Sequence, residues 1–96
     1  MKRICQIFRS PRKPEMYLYV DKTMGLTEVP ELLLAQFGEP QPVMVLALDA
    51  GRKLARVQAA EVLEKIESQG FFLQMPPTDA ELLQRESARV RDSAGG

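Results

Sequence analysis

The chain has 96 residues, and its 13 basic and 13 acidic side chains give no formal net charge at neutral pH. This length predicts a single domain, and the balanced charge excludes a strong overall attraction to nucleic acid or to a membrane surface. Every apolar run falls far short of the ~20 residues of a membrane span, and the first residues lack the apolar core of a signal peptide. We therefore expect a cytoplasmic protein that is not associated with a membrane.

The rare reactive residue types narrow the chemistry further. Cys5 is the single cysteine and histidine is absent, so an intrachain disulfide, a cysteine-type zinc site and histidine-based catalysis are excluded within one chain. Cys5 lies among apolar neighbours in an apparent strand, which favours a small buried side chain over a reactive thiolate. No calcium-binding loop, phosphate-binding loop or dinucleotide-binding glycine motif occurs. We predict no cofactor, no metal ion and no catalytic residue.

The first part of the chain predicts an antiparallel hairpin. Two apolar segments, residues 3–8 and 16–20, are joined by a loop in which Pro11 and Pro14 interrupt regular structure. Alternation in the second segment places its side chains on two faces: Met16, Leu18 and Val20 on one, and Tyr17 and Tyr19 on the other.

A helix and an apolar strand follow. Residues 29–38 have Pro30 in the first turn and Gly38 at the end, which predicts a helix. The predicted apolar stripe of this helix consists of Val29, Leu32, Leu33 and Phe37. The next segment, Val43–Leu48, has six apolar residues in a row without alternation, which predicts a central strand covered on both faces.

The remaining elements are a second helix, a last strand and a third helix. Residues 52–57 fit either a short return strand or an extended connection. An apolar stripe at helical spacing predicts a helix over residues 58–69, which Gly70 ends. Phe71–Met75 predicts the last strand, and Thr78-Asp79-Ala80-Glu81 matches the capping box of a third helix.

The predicted order of elements, β-β-α-β-(β)-α-β-α, indicates an α+β fold. We expect a small single domain with a mixed or antiparallel sheet of four to five strands, two core helices over one main face, and a peripheral C-terminal helix. The tyrosine pair is then expected on the less covered face. The predicted boundaries are residues 1–77 for the domain, 78–92 for the peripheral helix and 93–96 for a disordered tail.

The distribution of charge indicates one candidate binding surface. Residues 1–22 carry six basic and two acidic side chains. Exposed tyrosines beside these cations are suited to stack on RNA bases while the cations meet phosphates. The stronger alternative is that the loop charges are solvated and the tyrosines lie under a helix, and the neutral net charge falls short of that of a dedicated nucleic-acid binder. The candidate surface consists of Arg9, Arg12, Lys13, Tyr17, Tyr19, Arg52 and Lys53.

Two carboxylates provide an alternative of another class. Asp21 and Asp49 each follow a predicted strand, a position that is common at the rims of active sites. A catalytic pair requires both carboxylates in one cleft, whereas a turn explains each aspartate separately.

Several segments, in one order and with close spacing, carry a resemblance to a known family. They are Tyr17–Val20, Val29-Pro30-Glu31, Leu33, Phe37-Gly38, Pro40, Met44, Leu46, Leu48, Arg52-Lys53-Leu54, Gln69-Gly70, Leu73-Gln74 and Pro76-Pro77. Through most of residues 4–77 the chain thus resembles the YcgL domain family of gammaproteobacterial proteins, whose function is largely unknown. The resemblance implies a compact α/β domain in a cytoplasmic bacterial protein, and it brings no active site with it.

Three functions follow from these observations. The first is a non-enzymatic binding or adaptor module for a protein or RNA partner, which the missing catalytic chemistry and the segregated charge favour. The second is an enzyme or enzyme accessory that uses Asp21 and Asp49. The third is a structural homodimer component, joined through a sheet edge or through the third helix; the sequence itself does not fix the oligomeric state.

Overall fold

The computed structural model describes residues 2–52, 54 and 57–84. Its elements, in chain order, are β1 (Lys2–Arg9), β2 (Tyr17–Asp21), α1 (Glu31–Phe37), β3 (Gln41–Asp49), α2 (Ala59–Gln69) and β4 (Phe71–Gln74). Residues 79–84 form the first part of a third helix. These elements confirm the predicted small α+β domain.

The four strands form one antiparallel sheet in the order β3-β1-β2-β4. The hairpin of β1 and β2 is confirmed, with Cys5 opposite Asp21 and Arg9 opposite Tyr17. Because β3 and β4 join the outer sides of this hairpin, β1 and β2 are the central strands.

The prediction that Val43–Leu48 is a central strand covered on both faces is wrong. This segment belongs to β3, which lies at the edge of the sheet, and residues 41–45 of β3 are exposed. Of the nine residues in this strand, Leu48 is the buried one. Among the described residues, the helices cover the middle of the sheet and the Leu48 end of β3, and the apolar start of this strand stays exposed.

The prediction that the helices share one main face is also wrong. The sheet separates two cores, so that α2 covers one face and α1 the other. The core under α2 consists of Cys5, Ile7, Tyr19, Leu48, Ala59, Val62, Leu63, Ile66 and Phe72. The core on the α1 face consists of Met16, Leu18, Val20, Val29 and Phe37, with Leu33 and Leu34 packed against it.

This arrangement corrects the prediction for the tyrosine face. Tyr19 is only 7% exposed because it belongs to the core under α2, and Tyr17 packs half-buried against that core. The alternation in β2 was predicted correctly, but both of its faces carry a helix.

The first helix is shorter and less buried than its sequence predicts. It spans seven residues, and Phe37 is its one buried residue. Leu32, which we placed on the apolar stripe, is 83% exposed. Gly38 ends the helix with a φ of +89°, and its N–H donates to the carbonyl of Leu34 at 2.9 Å.

The prediction for α2 is confirmed. Its buried side chains are Ala59, Val62, Leu63 and Ile66, which recur at helical spacing. Burying an aliphatic side chain of this size contributes roughly 1.5–3 kcal/mol, so this stripe is the main attachment of α2 to the sheet. Gly70 ends the helix in the left-handed conformation, as predicted.

The structure describes only part of the segment before α2 and part of the helix after β4. In the segment 52–57, the described residues Arg52, Leu54 and Val57 lie outside any strand, and residues 53, 55 and 56 are outside the described part. The predicted helix start at Thr78 is confirmed, and the Thr78 hydroxyl accepts the N–H of Glu81 at 3.2 Å. The predicted extension of this helix to residue 92 and the predicted tail at residues 93–96 lie outside the described residues.

Candidate binding surfaces

Three of the predicted basic residues lie at the end of β1 and in the connection that follows it. Arg9, Arg12 and Lys13, which we call the basic loop, are all exposed. Ser10 fixes the backbone beneath them, because its buried hydroxyl accepts the N–H groups of Arg12 and Lys13, each at 3.1 Å. The same hydroxyl donates to the carbonyl of Phe37 at 2.5 Å. The loop is therefore tied to the end of α1.

Both arginines of the basic loop also make structural hydrogen bonds. Arg9 Nε donates to Gln41 Oε1 at 3.0 Å, and Arg12 Nη1 donates to the carbonyl of Ala35 in the last turn of α1 at 3.0 Å. A positive side chain at this end of a helix is favourable, because the last carbonyl groups are unpaired and carry partial negative charge. Part of each guanidinium is thus used by the fold, and Lys13 extends from the surface.

Of the other predicted members, Tyr17 lies opposite Arg9 across the hairpin but is half-buried against the core under α2, and Tyr19 is buried. The hydroxyl of Tyr19 donates to Gln74 Oε1 at 3.0 Å, and its ring packs edge-on against Phe72 with centroids 5.8 Å apart. A ring enclosed in this way offers no face to a nucleic-acid base. Arg52 is exposed beyond the Asp49 end of β3, whereas Arg9 lies at the Gln41 end. Lys53 lies outside the described residues.

Asp21 and Asp49 lie on opposite sides of β1. Asp21 is opposite Cys5 in β1, and Asp49 is opposite Lys2. Since these two positions of β1 are three residues apart, their side chains also point to opposite faces of the sheet. The two carboxylates therefore do not meet in one cleft.

Local hydrogen bonds account for each aspartate. The side chain and backbone of Thr23 donate to Asp21, and Arg3 Nη1 lies 2.9 Å from Asp21 Oδ2. The Thr23 hydroxyl contributes most to lowering the pKa of Asp21 from 3.8 to about 2, and the Arg3 guanidinium adds to this effect. Asp21 is consequently ionised at neutral pH. Asp49 Oδ1 accepts the N–H of Gly51 at 2.9 Å, which is the turn role predicted for it.

The thiol of Cys5 lies in the core under α2, as predicted. Its side chain is fully buried, and this burial, with a smaller contribution from the negative charge of Asp21, raises the pKa of the thiol to about 11. A thiol that stays protonated at neutral pH is a poor nucleophile.

The structure places exposed apolar side chains on β3 and on the adjoining part of β1, which sequence analysis missed. Ile4, Val43, Met44 and Val45, here called the edge patch, are each roughly half exposed. Ile4 is opposite Ala47, so it lies diagonally from Val45 on one face of the sheet. A run of apolar residues without polar alternation predicts a buried strand. It does not indicate whether the strand is buried by residues of the same chain or by another chain.

A groove adjoins the edge patch on the α2 face. It encloses about 300 Å³. Its lining is mostly apolar and consists of Ile7, Tyr17, Tyr19, Val43, Met44, Leu46, Leu54 and Gln74. Among the four described strands, β3 pairs with β1 alone, and an apolar depression lies beside it.

Two kinds of feature are absent from the described part of the chain, metal-binding groups of side chains and membrane-spanning helices. In residues 2–52, 54 and 57–84, no three thiol or carboxylate side chains are grouped in a way that could hold a metal ion. None of the helices in these ranges is both long enough and apolar enough to cross a membrane.

The fold is that of a small α+β domain, and its described residues include no group of thiols and carboxylates that could hold a metal ion. The family model of the YcgL domain matches residues 5–77, and the chain belongs to this family, as its resemblance indicated. A YcgL domain-containing protein of Pseudomonas aeruginosa is 58% identical over 95 residues, covering 96% of this chain and 98% of that protein. A second, from Chromohalobacter salexigens, is 58% identical over 76 residues and covers 79% of each chain. A third, from Pseudomonas entomophila, is 56% identical over 97 residues and covers 98% of this chain and all of the relative.

Proposed function

We propose that the protein is a non-enzymatic binding module whose partner is another polypeptide, bound along the edge of β3. The carrying observation is that three consecutive residues of an edge strand, Val43, Met44 and Val45, are apolar and about half exposed. Edge strands of monomeric proteins usually carry charges or other devices that prevent strand addition. An apolar edge with unpaired backbone groups is suited to receive an extended strand, in which backbone hydrogen bonds supply affinity and side-chain contacts supply selectivity.

RNA binding by the basic loop is the second candidate. It is supported by the exposure of Arg9, Arg12 and Lys13 on one fixed loop. It is weakened because the ring of Tyr19 is buried and because both arginines already donate to neighbouring groups. Base stacking is a large part of single-strand binding, so the polypeptide partner is the better supported proposal.

Affinity capture with matched variants tests the proposal. The tagged protein is expressed in bacterial cells together with an untagged copy, and retained protein and RNA are identified in the eluates. Val45→Lys places a charge in the edge patch, and Leu32→Lys is its control because Leu32 is also exposed but lies on α1. The double variant Arg12→Glu, Lys13→Glu reverses the charge of the basic loop. Circular dichroism verifies that each variant is folded.

We expect the eluates of wild type and of Leu32→Lys to contain polypeptides that are absent from the eluate of Val45→Lys. Equal retention by both lysine variants, or no polypeptide above the tag control, contradicts it. RNA that is retained by wild type, lost from the double variant and released by salt supports the second candidate instead, because phosphate contacts weaken with ionic strength.

A further inference from the structure

We propose that the edge of β3 pairs with β3 of a second copy of this chain, antiparallel about a two-fold axis, to give a continuous eight-stranded sheet. This inference rests on the proposed polypeptide-binding role and names the partner. Three features of β3 support it: the direction of its backbone groups, the scarcity of charge and proline along the strand, and the charges at its two ends.

The hydrogen-bonding pattern identifies the backbone groups that face outward. The carbonyl of Ile4 accepts the N–H of Lys22 at 2.9 Å, so Ile4 directs its backbone groups to the β2 side. In an antiparallel ladder successive residues alternate in direction, and Cys5 therefore directs its groups to Leu46 in β3. It follows that Val45 and Ala47 direct their N–H and C=O groups away from β1. No strand of the described part of the chain pairs with them.

The two edges of the sheet differ in protection. The β4 edge is four residues long and is followed by Pro76 and Pro77, which cannot donate to a ladder. The β3 edge is nine residues long, carries no charge before Asp49 and has one proline, Pro42, near its start. Short length and proline are common ways to block strand addition, so the centre of β3 is the less protected of the two edges within the described residues.

The size and polarity of β3 suit a second copy. A two-fold axis through Val45, the middle residue of the strand, sets apolar residues against apolar residues. In the regular register about this axis, Val45 lies opposite its own copy and Met44 lies opposite Leu46. These side chains are uncharged and of similar size, and cross-strand pairs of this kind stabilise antiparallel sheets. The chain also has no formal net charge, so two copies approach without overall repulsion.

Charge at the ends of β3 fixes the antiparallel direction. Asp49 is the one charged residue of the strand and lies at its last position. At the other end, the bond from Arg9 Nε to Gln41 Oε1 holds the Arg9 guanidinium beside the first residue of β3. Antiparallel pairing brings the last residue of one copy near the first residue of the other. The Asp49 carboxylate of each copy is then placed beside the Arg9 guanidinium of the other, twice in each dimer.

Sedimentation equilibrium across a wide range of protein concentration tests this inference. Wild type and the control Leu32→Lys are expected to form dimers, and Val45→Lys is expected to remain a monomer. A wild type that stays monomeric at every concentration overturns the inference, as does a Val45→Lys variant that dimerises like wild type.

Charge reversal tests the direction of pairing. Arg9→Glu and Asp49→Arg are each expected to raise the dimer dissociation constant by about tenfold, because each change replaces two attractive contacts with two repulsive ones. The double variant restores the ion pairs in reversed order and should return to within about threefold of wild type. If the double variant is weaker than both single variants, the antiparallel arrangement is wrong.

A cross-link provides a measurement that does not depend on a disruptive substitution. Val45→Cys places two thiols opposite each other at the two-fold axis, and mild oxidation should link them into a covalent dimer. Leu32→Cys is the control and should stay unlinked. The native Cys5 does not compete, since burial raises the pKa of its thiol to about 11. Equal linking of the two variants overturns the inference.

These outcomes separate the inference from the proposed function. A wild type that is monomeric can still retain polypeptides other than this chain that Val45→Lys does not retain. In that case the homodimer is wrong and the binding role stands. If wild type neither dimerises nor retains any polypeptide, both are wrong.

Discussion

Replacing Gly70 by alanine should destabilise the fold more than the same change at Gly25. Gly70 lies between α2 and β4 with a φ of +92°. A Cβ atom at this position would lie 2.3 Å from Cβ and 2.7 Å from Cγ of Glu28. Non-bonded carbon atoms normally lie about 3.5–4.0 Å apart. The alanine variant must therefore displace either the loop that contains Glu28 or the turn that follows α2.

The matched glycine isolates the effect of this contact. Gly25 also has a positive φ, +59°, but no atom lies within 4 Å of a Cβ added there. Both variants carry the cost of a left-handed alanine, about 1–2 kcal/mol. Both also gain about 0.4–1 kcal/mol from the lower entropy of the unfolded chain. These contributions nearly cancel in the comparison, so the overpacking at Gly70 should make its variant less stable by about a further 1–3 kcal/mol.

Urea unfolding followed by circular dichroism measures these free energies. A third background, Glu28→Gly, removes the Cβ and Cγ atoms that the new methyl group would meet. In that background Gly70→Ala should cost the same as Gly25→Ala to within about 0.5 kcal/mol, because the new methyl group no longer meets a side chain at position 28 and the coupling between the two positions is removed. Equal losses for the two alanine variants in the otherwise wild-type chain would refute the reasoning.

Three other predictions concern buried and charged groups. The pKa of Asp21 is about 2, below its ordinary 3.8, so its ionised form stabilises the fold above about pH 4, and this contribution is lost as the pH falls towards 2. Between about pH 4 and about pH 2, the melting temperature of Asp21→Asn should therefore fall less than that of wild type. Tyr19→Phe removes the donor to the buried Gln74 and should cost about 1–3 kcal/mol in urea unfolding, whereas Tyr17→Phe, at a half-buried position, should cost less. The thiol of Cys5 should react with a disulfide reagent at neutral pH only when urea unfolds the chain, and fast reaction of the native protein would contradict its burial.

Elements whose apolar side chains recur at a regular spacing could be predicted from the sequence. The stripe of α2 from Ala59 to Ile66 and the left-handed Gly70 after it define that helix by local rules. The short proline loop and the alternation in β2 define the hairpin in the same way. Local rules failed at α1, where Leu32 has the expected spacing but is 83% exposed. A helix of seven residues covers too little of the sheet to bury both sides of its apolar stripe.

The position of β3 could not be predicted, for a physical reason. A continuous run of apolar residues shows that a strand is suited to burial. The same run is expected whether the strand is buried by its own chain or by a partner chain. Strand order decides between these, and the order depends on long-range pairing that local sequence does not encode. The inward-facing ion pair of Arg3 and Asp21 was missed for the same reason, since it exists only in the register that sets Cys5 opposite Asp21. The basic loop, in contrast, follows from a proline-rich connection and was placed at the surface correctly.

The central position of β1 has a consequence for the order in which the chain folds during synthesis. The β1–β2 hairpin can close as soon as residue 21 has left the ribosome, but each of its strands then still has an unpaired outer side. The neighbour of β1 arrives with residues 41–49, and the neighbour of β2 arrives last, with residues 71–74. The core under α2 cannot be completed before that point, because it includes Phe72. We therefore expect a nascent chain that stalls before β4 to leave the core under α2 incomplete and part of its apolar surface exposed, which is the kind of intermediate that aggregates.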